Sequence, residues 1–295
     1  MIMPRRIPDI AIIGAGAAGL ACAERLVERG LQVQVYDKGR QPGGRVAHRA
    51  RGGLEFEHGA PGYRDRILSL SSRVPIASRC RVTGLARTDE GRWRVFVDGH
   101  PLRSLHAEVV LAMPPQQTAA LLQVAPELAR PLERVTMRPV LTAMVGLPRP
   151  LGRSFDHIAF DEPSLAEARR QPGDTVVGPE GWVLHASAAF SRDNIECEPG
   201  AVAEHLWQRF RNNLGLVATT PLYLRGHRWR FGRTETPLGT ECLHDRELGI
   251  GVCGDWCLGD GVEYALASGR ALAARILGIP ERRSGTITAA REGKA

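Results

Sequence analysis

The segment Asp9-Ile-Ala-Ile-Ile-Gly-Ala-Gly-Ala-Ala-Gly19 decides the fold of this chain of 295 residues. Its apolar, β-branched opening predicts a buried parallel strand, and its glycines lead into a predicted helix from Leu20 to Arg29. A second strand is predicted from Leu31 to Tyr36, and it ends on Asp37. Strand, glycine loop, helix, strand and acid in this order predict a Rossmann-type unit that binds a dinucleotide.

The position of each glycine in this loop has a physical reason. Gly14 allows a tight turn, Gly16 lets a pyrophosphate approach the backbone, and Gly19 lets the helix and the strand pack closely. The start of the helix, where Ala17 and Ala18 are further binding candidates, offers N–H groups and the positive end of the helix dipole to the phosphates.

Asp37 and Lys38 are the candidates for binding the adenosine ribose, and we call this part of the site the ribose corner. The Asp37 carboxylate can accept hydrogen bonds from both hydroxyl groups of an adenosine ribose. The fingerprint therefore predicts nucleotide binding, and by itself it does not separate NAD from FAD.

Composition and charge exclude several classes of protein. The chain is 43% hydrophobic and 24% charged, which is typical of a globular protein with one large or two interleaved domains. The net charge is +7, but 37 of the 39 basic residues are arginines, and they are scattered, so we expect no nucleic-acid partner. The alternative that some of these arginines meet an anionic, phosphate-bearing ligand stays open.

Cysteine and histidine spacing predicts free buried thiols and no metal site. The six cysteines form no C-x-x-C pair, and the nine histidines show no ligand spacing. Arg5-Arg6 before an apolar run is similar to a signal peptide, yet Asp9 interrupts that run, and cleavage there would destroy the glycine loop. No uncharged stretch offers the roughly 20 apolar residues of a membrane span. We therefore predict a cytoplasmic protein without a membrane partner.

Two further motifs carry a resemblance. The sequence Gln41-Pro-Gly43-Gly44-Arg45 resembles the extension seen in the flavin-containing amine oxidase and related FAD superfamilies. Two glycines let the loop fold back over the pyrophosphate, where Arg45 can offer a bidentate contact.

The second motif lies about 240 residues after the glycine loop that begins at Gly14. A predicted strand from Leu248 to Cys253 reaches Gly254-Asp255, and Gly261-Val262-Glu263 opens a predicted helix that ends near Leu277 and is rich in small residues. This pattern resembles the closing FAD motif, which implies that Asp255 holds the ribitol and that the helix N terminus faces the isoalloxazine. The resemblance implies FAD as the cofactor and both chain ends in one domain.

The segment between these motifs contains a predicted hairpin. Trp93 to Val97 is followed by the turn Asp98-Gly99, and Glu108 to Met113 predicts another buried strand. In the resembling families, backbone groups near the position of Val82 pair with adenine, although this segment could also be sheet alone. Gly59 and Ala60 are further candidates for the cofactor site.

The domain organisation follows from these motifs. We predict an α/β fold in which a discontinuous FAD-binding domain (1–60, 76–115 and 247–280) encloses an inserted α+β substrate domain (116–246). The substrate domain contains predicted strands at Val140–Leu147 and Trp182–Ala189 and a helix at Ala201–Leu214. A shortened connection (61–75) and a disordered tail (281–295) complete the prediction.

Several strings of the second half resemble the renalase family: Trp182-Val-Leu-His185, His227-Arg228-Trp229 and Cys253-Gly-Asp-Trp-Cys257. This resemblance implies an FAD oxidase that takes hydride from isomeric dihydronicotinamides, the non-standard reduced forms of NAD(P). Dioxygen would be the electron acceptor, with hydrogen peroxide as product. A nicotinamide dinucleotide is then the expected small-molecule substrate.

Candidate residues at the reacting end are aromatic or polar: Tyr63, His185, Arg228, Trp229 and Trp256. Each has a structural alternative, because a tryptophan can anchor a core, a histidine can be a satisfied core residue, and an arginine can form an ion pair. Lys38 and Lys294 are the two lysines, and neither suits the lysine that amine oxidases of the superfamily commonly place near the flavin.

One departure from the family keeps other functions open. Renalases carry several elements where this chain has only 61–81, and those elements normally cover the substrate site. We therefore expect a flavin pocket that is wider, partly open or completed by a protein partner. An amine oxidase or desaturase-like enzyme, or a flavin-binding accessory protein, remains the alternative.

Overall fold

The computed structural model describes residues 9–173, 178–216 and 219–279, so the predicted disordered tail lies outside the described residues. The strands are Ile10–Ile13 (β1), Val33–Tyr36 (β2), His48–Arg51 (β3), Leu54–Glu57 (β4), Ile76–Ala77 (β5), Val82–Arg87 (β6), Trp93–Val97 (β7), His100–His106 (β8), Glu108–Leu111 (β9), Thr136–Leu147 (β10), His157–Ala159 (β11), Leu165–Arg170 (β12), Glu180–Ala186 (β13), Tyr223–Thr236 (β14), Leu243–Asp245 (β15) and Ile250–Val252 (β16). The α-helices are Ala17–Val27 (α1), Arg64–Ser71 (α2), Pro115–Leu121 (α3), Pro126–Ala129 (α4), Ala188–Asp193 (α5), Pro199–Asn213 (α6) and Val262–Ile276 (α7).

A six-stranded sheet in the order β15-β16-β9-β1-β2-β5 forms the Rossmann-like part. Strand β1 lies in its middle, is parallel to β2 and β9, and is buried along its whole length, as its apolar sequence predicts. Strand β16, from the far end of the chain, is parallel to β9 in the same sheet. Strands from the early and the late part of the described chain thus lie in one sheet, and the predicted α/β fold class is confirmed.

Helices α1 and α7 cross closely on one side of this sheet. A Cβ atom built on Gly269 would lie 2.1 Å from the carbonyl oxygen of Ala18, so the backbones nearly touch there. A small residue in the last helix thus lets α7 lie directly against α1. Helix α1 begins at Ala17, three residues earlier than predicted, because the last glycine of the loop is already part of its first turn.

A three-stranded sheet, β6-β7-β8, contains the predicted hairpin. Asp98 and Gly99 have φ values of 48° and 83°, the left-handed conformations that a tight two-residue hairpin turn needs. The fully buried Trp93 anchors this sheet, and its Nε1 donates to the carbonyl oxygens of Leu248 and Gly249.

A five-stranded antiparallel sheet, in the order β11-β12-β13-β10-β14, forms the second part. One face is apolar, with Leu141 and Val145 of β10 packed against Leu206 and Phe210 of α6. The predicted strand from Trp182 ends at Ala186 instead of Ala189, because the Ser187 hydroxyl accepts the N–H of Phe190 and begins α5.

We call the opposite face of this sheet the hairpin face, because the hairpin of β3 and β4 covers part of it. The strand register places these side chains on the hairpin face: Thr142, Met144, Glu167, Val183, His185, His227 and Trp229. Leu54 and Phe56 of β4 pack against Met144 and Val183, and the Phe56 ring stacks on Tyr223 at 5.3 Å.

Four of the six cysteines are buried, as predicted. Cys22, Cys242, Cys253 and Cys257 are buried free thiols as predicted, whereas Cys80 is partly exposed and Cys197 is exposed because it follows α5 at the surface. None of the helices in the described part of the chain combines the length and the apolar character that crossing a membrane requires.

Candidate cofactor and substrate site

The glycine loop after β1 forms a cradle against the loop that contains Gly43 and Gly44. The Gly43 N–H donates to the carbonyl oxygen of Ala15 at 2.8 Å, and Gly16 and Gly43 form an isolated β-bridge. A Cβ atom built on Gly16 would meet no atom within 4 Å, so the backbone there faces open space. The second loop thus folds back over the first and leaves the backbone at Gly16 open, as close approach of a pyrophosphate would require.

Gly14 and Gly19 set the shape of this cradle. Gly14 has a φ of 110°, a conformation that favours glycine. A Cβ atom on Gly19 would lie 2.0 Å from the Gly14 carbonyl oxygen, so only glycine permits this approach of helix to loop. The backbone N–H groups of Ala17 and Ala18 lie in the first turn of α1 beside it.

Asp37 is held at the end of β2 by backbone groups of two loops. Its Oδ2 accepts the N–H of Ala15 at 2.6 Å, and its Oδ1 accepts the N–H of Gly39 at 2.6 Å. The Lys38 ammonium donates to the Gln117 side chain at 3.1 Å. Since each carboxylate oxygen retains a further lone pair, Asp37 remains able to accept ribose hydroxyl groups.

Val82, the candidate beside adenine, begins β6. The N–H of Cys80, two residues earlier, donates to the Asp37 carbonyl oxygen at 2.8 Å. The chain therefore enters β6 from beside Asp37, so Val82 begins its strand close to the ribose corner.

Arg45 and Asp255 form a bidentate pair that joins two distant parts of the chain, in which the Asp255 carboxylate is buried and 31% of the Arg45 side chain is exposed. Arg45 donates to the Asp255 carboxylate at 2.8 and 2.5 Å, and it also donates to the Gly232 carbonyl oxygen at 3.3 Å. Asp255 is only 3% exposed, and the Thr234 hydroxyl lies 3.4 Å from its Oδ2. The sequence suggests separate contacts for Arg45 and Asp255, with the pyrophosphate and the ribitol, and it does not reveal this pair.

Gly59 and Ala60 pack directly under Arg45. A Cβ atom on Gly59 would lie 1.9 Å from the Arg45 carbonyl oxygen, which also accepts the Ala60 N–H at 2.9 Å. The contact explains a glycine at position 59, because any side chain would displace the loop that carries Arg45.

The start of α7 contributes the remaining cofactor candidates. The Gly254 N–H donates to the Ser268 hydroxyl at 3.0 Å, which ties the turn before Asp255 to α7. Gly261 caps the helix with a φ of 138°, and Val262 and Glu263 form its first turn.

Tyr63 lies at this end of the site, just before α2. Burial and then the neighbouring Glu263 carboxylate raise the pKa of the Tyr63 phenol. The contact places the one tyrosine candidate beside the N terminus of α7.

These contacts form one continuous path. Asp37 contacts the glycine loop, the glycine loop contacts Gly43, and two residues later Arg45 reaches Asp255. An acid lies at one end, open space over glycine backbone in the middle, and an ion pair with a buried carboxylate beside a helix N terminus at the other end. These groups fit the ribose, pyrophosphate and flavin parts of FAD.

A group of three aromatic rings lies on the hairpin face next to this path, with one stacked pair and a third ring tilted against it. The ring of His58 stacks on Trp229 with centroids 5.5 Å apart, and the ring of His227 lies 4.1 Å from Trp229. The Trp229 Nε1 donates to the His58 carbonyl oxygen at 3.1 Å. His58 directly precedes Gly59, so the group adjoins the loop under Arg45.

Sequence reasoning missed His58 and His227, although signals for both exist. His227 stands two residues before Trp229 in a strand, so the two side chains must share a face. His58 stands directly before the Gly59-Ala60 candidates. What the sequence does not reveal is that these two segments meet.

Burial keeps both imidazoles neutral. Desolvation, and next the neighbouring His227, lower the pKa of His58 from 6.5 to about 4. Desolvation, followed by the charge of Arg49, also lowers the pKa of His227. Near pH 7 this ring group therefore carries no charge of its own.

The shift at His58 predicts a pH dependence of stability. The unfolded chain takes up a proton at this position below about pH 6.5, and the folded chain does so only near pH 4, so folding stability falls as the pH decreases between these values. We expect the wild type to lose about 2 kcal/mol more than His58→Phe between pH 7.5 and pH 5. Urea unfolding at both pH values measures this difference. Substitution of the exposed His100 by asparagine should leave the pH dependence as in the wild type.

His185 is oriented by a carboxylate that the sequence analysis did not identify. Its Nδ1 lies 3.0 Å from Oε1 of Glu167, and Oε2 of Glu167 lies 2.8 Å from His157 Nε2. The hydrogen bond from His185 is the largest cause that lowers the pKa of Glu167. Thr142, next to His185 on the hairpin face, has a buried hydroxyl without a hydrogen-bond partner among the described residues.

Two predicted reacting residues lie elsewhere. Arg228 points to the opposite face of β14, where it donates to Glu196 at 3.2 Å and to the Cys197 carbonyl oxygen at 2.9 Å. Trp256 has no exposed surface, and its Nε1 donates to the Met113 carbonyl oxygen at 2.9 Å. The structure brings His185 and Trp229 to one face but does not bring Arg228 or Trp256 to it, since strand alternation and core packing direct them away.

The short connection 61–75 contains α2, and a cavity of about 260 Å³ lies where it meets the β3–β4 hairpin. This cavity is lined by Glu55 and Glu57, which point to the side of β4 away from His58. It is thus separate from the path described above.

Comparison with known families gives two matches within this chain. Residues 12–68 match the NAD(P)-binding Rossmann-like domain, and residues 61–277 match the flavin containing amine oxidoreductases. A segment of 50 residues is 44% identical to a 4,4'-diapophytoene desaturase (4,4'-diaponeurosporene-forming) of Staphylococcus haemolyticus. That match covers 17% of this chain and 10% of the desaturase.

Solved structures show the same fold at low sequence identity. A protein of Exiguobacterium sp. 255-15, provisionally described as a protoporphyrinogen oxidase, superposes with a TM-score of 0.72 at 13% identity, over 90% of this chain and 98% of that one. Cyclohexylamine oxidase from Brevibacterium oxydans IH-35A superposes with a TM-score of 0.71 at 12% identity, over 92% and 99% of the two chains.

Proposed function

This chain belongs to the flavin-containing amine oxidoreductases and is an FAD-dependent oxidoreductase, and we propose that its substrate is an isomeric dihydronicotinamide, a non-standard reduced form of NAD(P), with dioxygen as the electron acceptor. When bound, FAD supplies a two-electron acceptor that can take a hydride and be reoxidised by dioxygen. The sequence segments around Trp182 and His227 resemble those of the renalases, which carry out this type of chemistry.

The observation that carries the proposal is the neutral ring group of His58, His227 and Trp229 beside the cofactor path. A dihydropyridine becomes aromatic when it loses hydride, so the reaction needs orientation by stacking and no general base. Flat rings held by one another and by the Trp229–His58 hydrogen bond can orient such a ring.

His185 supports the same role from the neighbouring strand. Because Glu167 occupies its Nδ1, the Nε2 atom is left for a polar group such as a carboxamide. The one lysine in the described part of the chain, Lys38, is bound to Gln117 at the ribose corner. The lysine that amine oxidases of the superfamily commonly use thus has no counterpart among the described residues.

The test is anaerobic mixing of the flavin-loaded protein with borohydride-reduced NAD, which contains the isomeric dihydro forms. We expect rapid bleaching of the flavin absorbance by this mixture and little bleaching by ordinary NADH, followed by recovery of the colour and formation of hydrogen peroxide in air. Trp229→Ala should slow the bleaching by about 10- to 100-fold through lost orientation, and Trp229→Phe should slow it less. Trp207→Phe serves as the control, because Trp207 lies in the hydrophobic core on the opposite face of the sheet.

A flavin that none of these dihydronicotinamides bleaches would contradict the proposal. Amines and polyenes are then the next substrates to test, because the family and the desaturase match are compatible with both. Bleaching that occurs only after addition of a cell extract would favour a protein partner that completes the site.

A further inference from the structure

Arg49 leaves the β3–β4 hairpin on the side that faces the five-stranded sheet. It lies directly opposite Phe56 in the hairpin register, and residues opposite each other in an antiparallel pair share a face. Phe56 is fully buried on the hairpin face, where it stacks on Tyr223. His58 directly follows β4 on this side and interacts with the charge of Arg49, so Arg49 extends toward the ring group.

Arg49 has no acceptor within the described part of the chain. Its Nε is buried without a hydrogen-bond partner, and none of the ion pairs formed by the described residues includes its guanidinium. A buried N–H group that lacks an acceptor is costly, more so when it belongs to a charged group. Arg45 shows the contrast, because Asp255 satisfies it in a bidentate pair.

A second unsatisfied group lies on the same face. The hydroxyl of Thr142, which is fully buried, has no partner among the described residues and lies opposite both His185 and His227 in the sheet register. Two polar groups on facing elements, the hairpin and the sheet, thus lack partners beside the same rings. Both can donate a hydrogen bond to an oxygen atom.

The charge around these groups is positive. Arg49 and Arg225 act on His227, which is itself uncharged, as is His58. The Glu167 carboxylate is engaged by His157, His185 and Arg169. Glu55 and Glu57 point to the other side of the hairpin. A cationic amine would therefore meet repulsion here, and an anion would meet an uncompensated guanidinium.

We propose that Arg49 binds an oxyanion of the substrate, a phosphate or a carboxylate, beside His58 on the hairpin face, and that it thereby selects an anionic reductant over a cationic amine. This inference deepens the proposed function, on which it rests for the identity of the reductant. The selectivity is a property of Arg49 itself and is measurable by binding as well as by flavin reduction.

The kinetic test uses three borohydride-reduced substrates: NAD, nicotinamide mononucleotide and 1-methylnicotinamide, the last of which carries no phosphate. The dissociation constants come from the concentration dependence of anaerobic bleaching. Arg49→Gln should raise those of the two phosphate-bearing substrates by about 10- to 100-fold, the equivalent of a charged hydrogen bond or a bidentate pair. The value for 1-methylnicotinamide should stay unchanged, and Arg49→Lys should give an intermediate result for the phosphates.

The matched control is Arg51→Gln, which removes an exposed arginine from the same strand. Equal flavin content and equal unfolding midpoints would show that the variants are folded. The proposal is overturned if Arg49→Gln weakens all three substrates equally or changes none of them.

A binding arm separates failure of this inference from failure of the proposed function. Inorganic pyrophosphate and glutarate are titrated into the flavin-loaded wild type, Arg49→Gln and Arg51→Gln, with heat of binding as the readout. If no dihydronicotinamide bleaches the flavin, the proposed function fails, and loss of pyrophosphate or glutarate binding only in Arg49→Gln would still support the anion site. The preferred probe distinguishes phosphate from carboxylate as the recognised group. No binding of either anion to the wild type, or equal binding to all three proteins, would refute the site.

Discussion

Replacing Arg45 with methionine should destabilise the protein by about 1–3 kcal/mol, because it leaves the buried carboxylate of Asp255 without its bidentate partner while the Arg45 side chain itself is partly exposed. Asp255 is 3% exposed, and the Thr234 hydroxyl at 3.4 Å cannot neutralise its charge. Urea unfolding followed by tryptophan fluorescence, with flavin-free and flavin-loaded protein in parallel, measures the loss. The flavin-loaded protein should lose more, since the same change disturbs the cofactor path.

Arg233 supplies the matched control. It pairs with Asp260 at 3.1 Å, but both side chains are substantially exposed, so Arg233→Met should cost about 0–1 kcal/mol. The double variant Arg45→Met/Asp255→Leu tests the cause: replacing both partners by apolar groups should recover much of the loss. An Arg45→Met variant as stable as Arg233→Met would mean that water or other groups already screen Asp255.

The cofactor half of the site could be predicted because its signals are local. Gly14, Gly16 and Gly19 are defined by spacing within one loop: Gly14 has a positive φ, Gly19 packs against the Gly14 carbonyl oxygen, and the backbone at Gly16 faces open space. The hairpin turn at Asp98-Gly99 is predictable for the same reason, since two adjacent residues determine its geometry.

The substrate half could not be predicted to the same depth, because its contacts join distant segments. His58 and Trp229 are 171 residues apart, and Arg45 and Asp255 are 210 residues apart. Nothing in the local sequence around Arg49 indicates that it points toward His227. Pattern analysis gives the residue types, but only the register of β3 with β4 shows which side of the hairpin they occupy.

Arg228 shows how sensitive such predictions are to strand phase. It stands between His227 and Trp229, and a shift of one residue along β14 exchanges the two faces of the sheet. The motif His227-Arg228-Trp229 therefore contributes two neighbouring rings to the hairpin face and one arginine to the opposite face, where it contacts Glu196.

Strand β14 connects the two halves of the site. Its Gly232 and Thr234 contact Arg45 and Asp255, while its His227 and Trp229 lie on the hairpin face. A change in the Arg45–Asp255 pair can therefore displace the ring group through one strand. Because of this geometry, we expect Arg45→Met to lower both the folding stability and the FAD affinity. Separating these two effects requires substitutions at another position.

Gly16 and Gly19 provide that separation. Gly16→Ala should leave the stability of the flavin-free protein nearly unchanged, with a loss of no more than about 1 kcal/mol for an alanine at a helix N-cap, because its φ of −77° suits alanine and the added Cβ meets no atom within 4 Å. The same methyl group would fill the open space where we place the pyrophosphate. FAD affinity should therefore fall by about 100-fold, the equivalent of one or two charged hydrogen bonds lost.

Gly19→Ala should reduce both quantities. Its Cβ would lie 2.0 Å from the Gly14 carbonyl oxygen, so backbone must move, at a cost of about 1–3 kcal/mol or more. Calorimetric titration of flavin-free protein with FAD and urea unfolding give the two quantities for each variant. If Gly16→Ala binds FAD as tightly as the wild type, the pyrophosphate does not lie over Gly16. If instead Gly16→Ala loses as much folding stability as Gly19→Ala, Gly16 is required for packing of the loop rather than for binding of the cofactor. The expected split, affinity alone at Gly16 and affinity with stability at Gly19, follows from the open space at one glycine and the close backbone contact at the other.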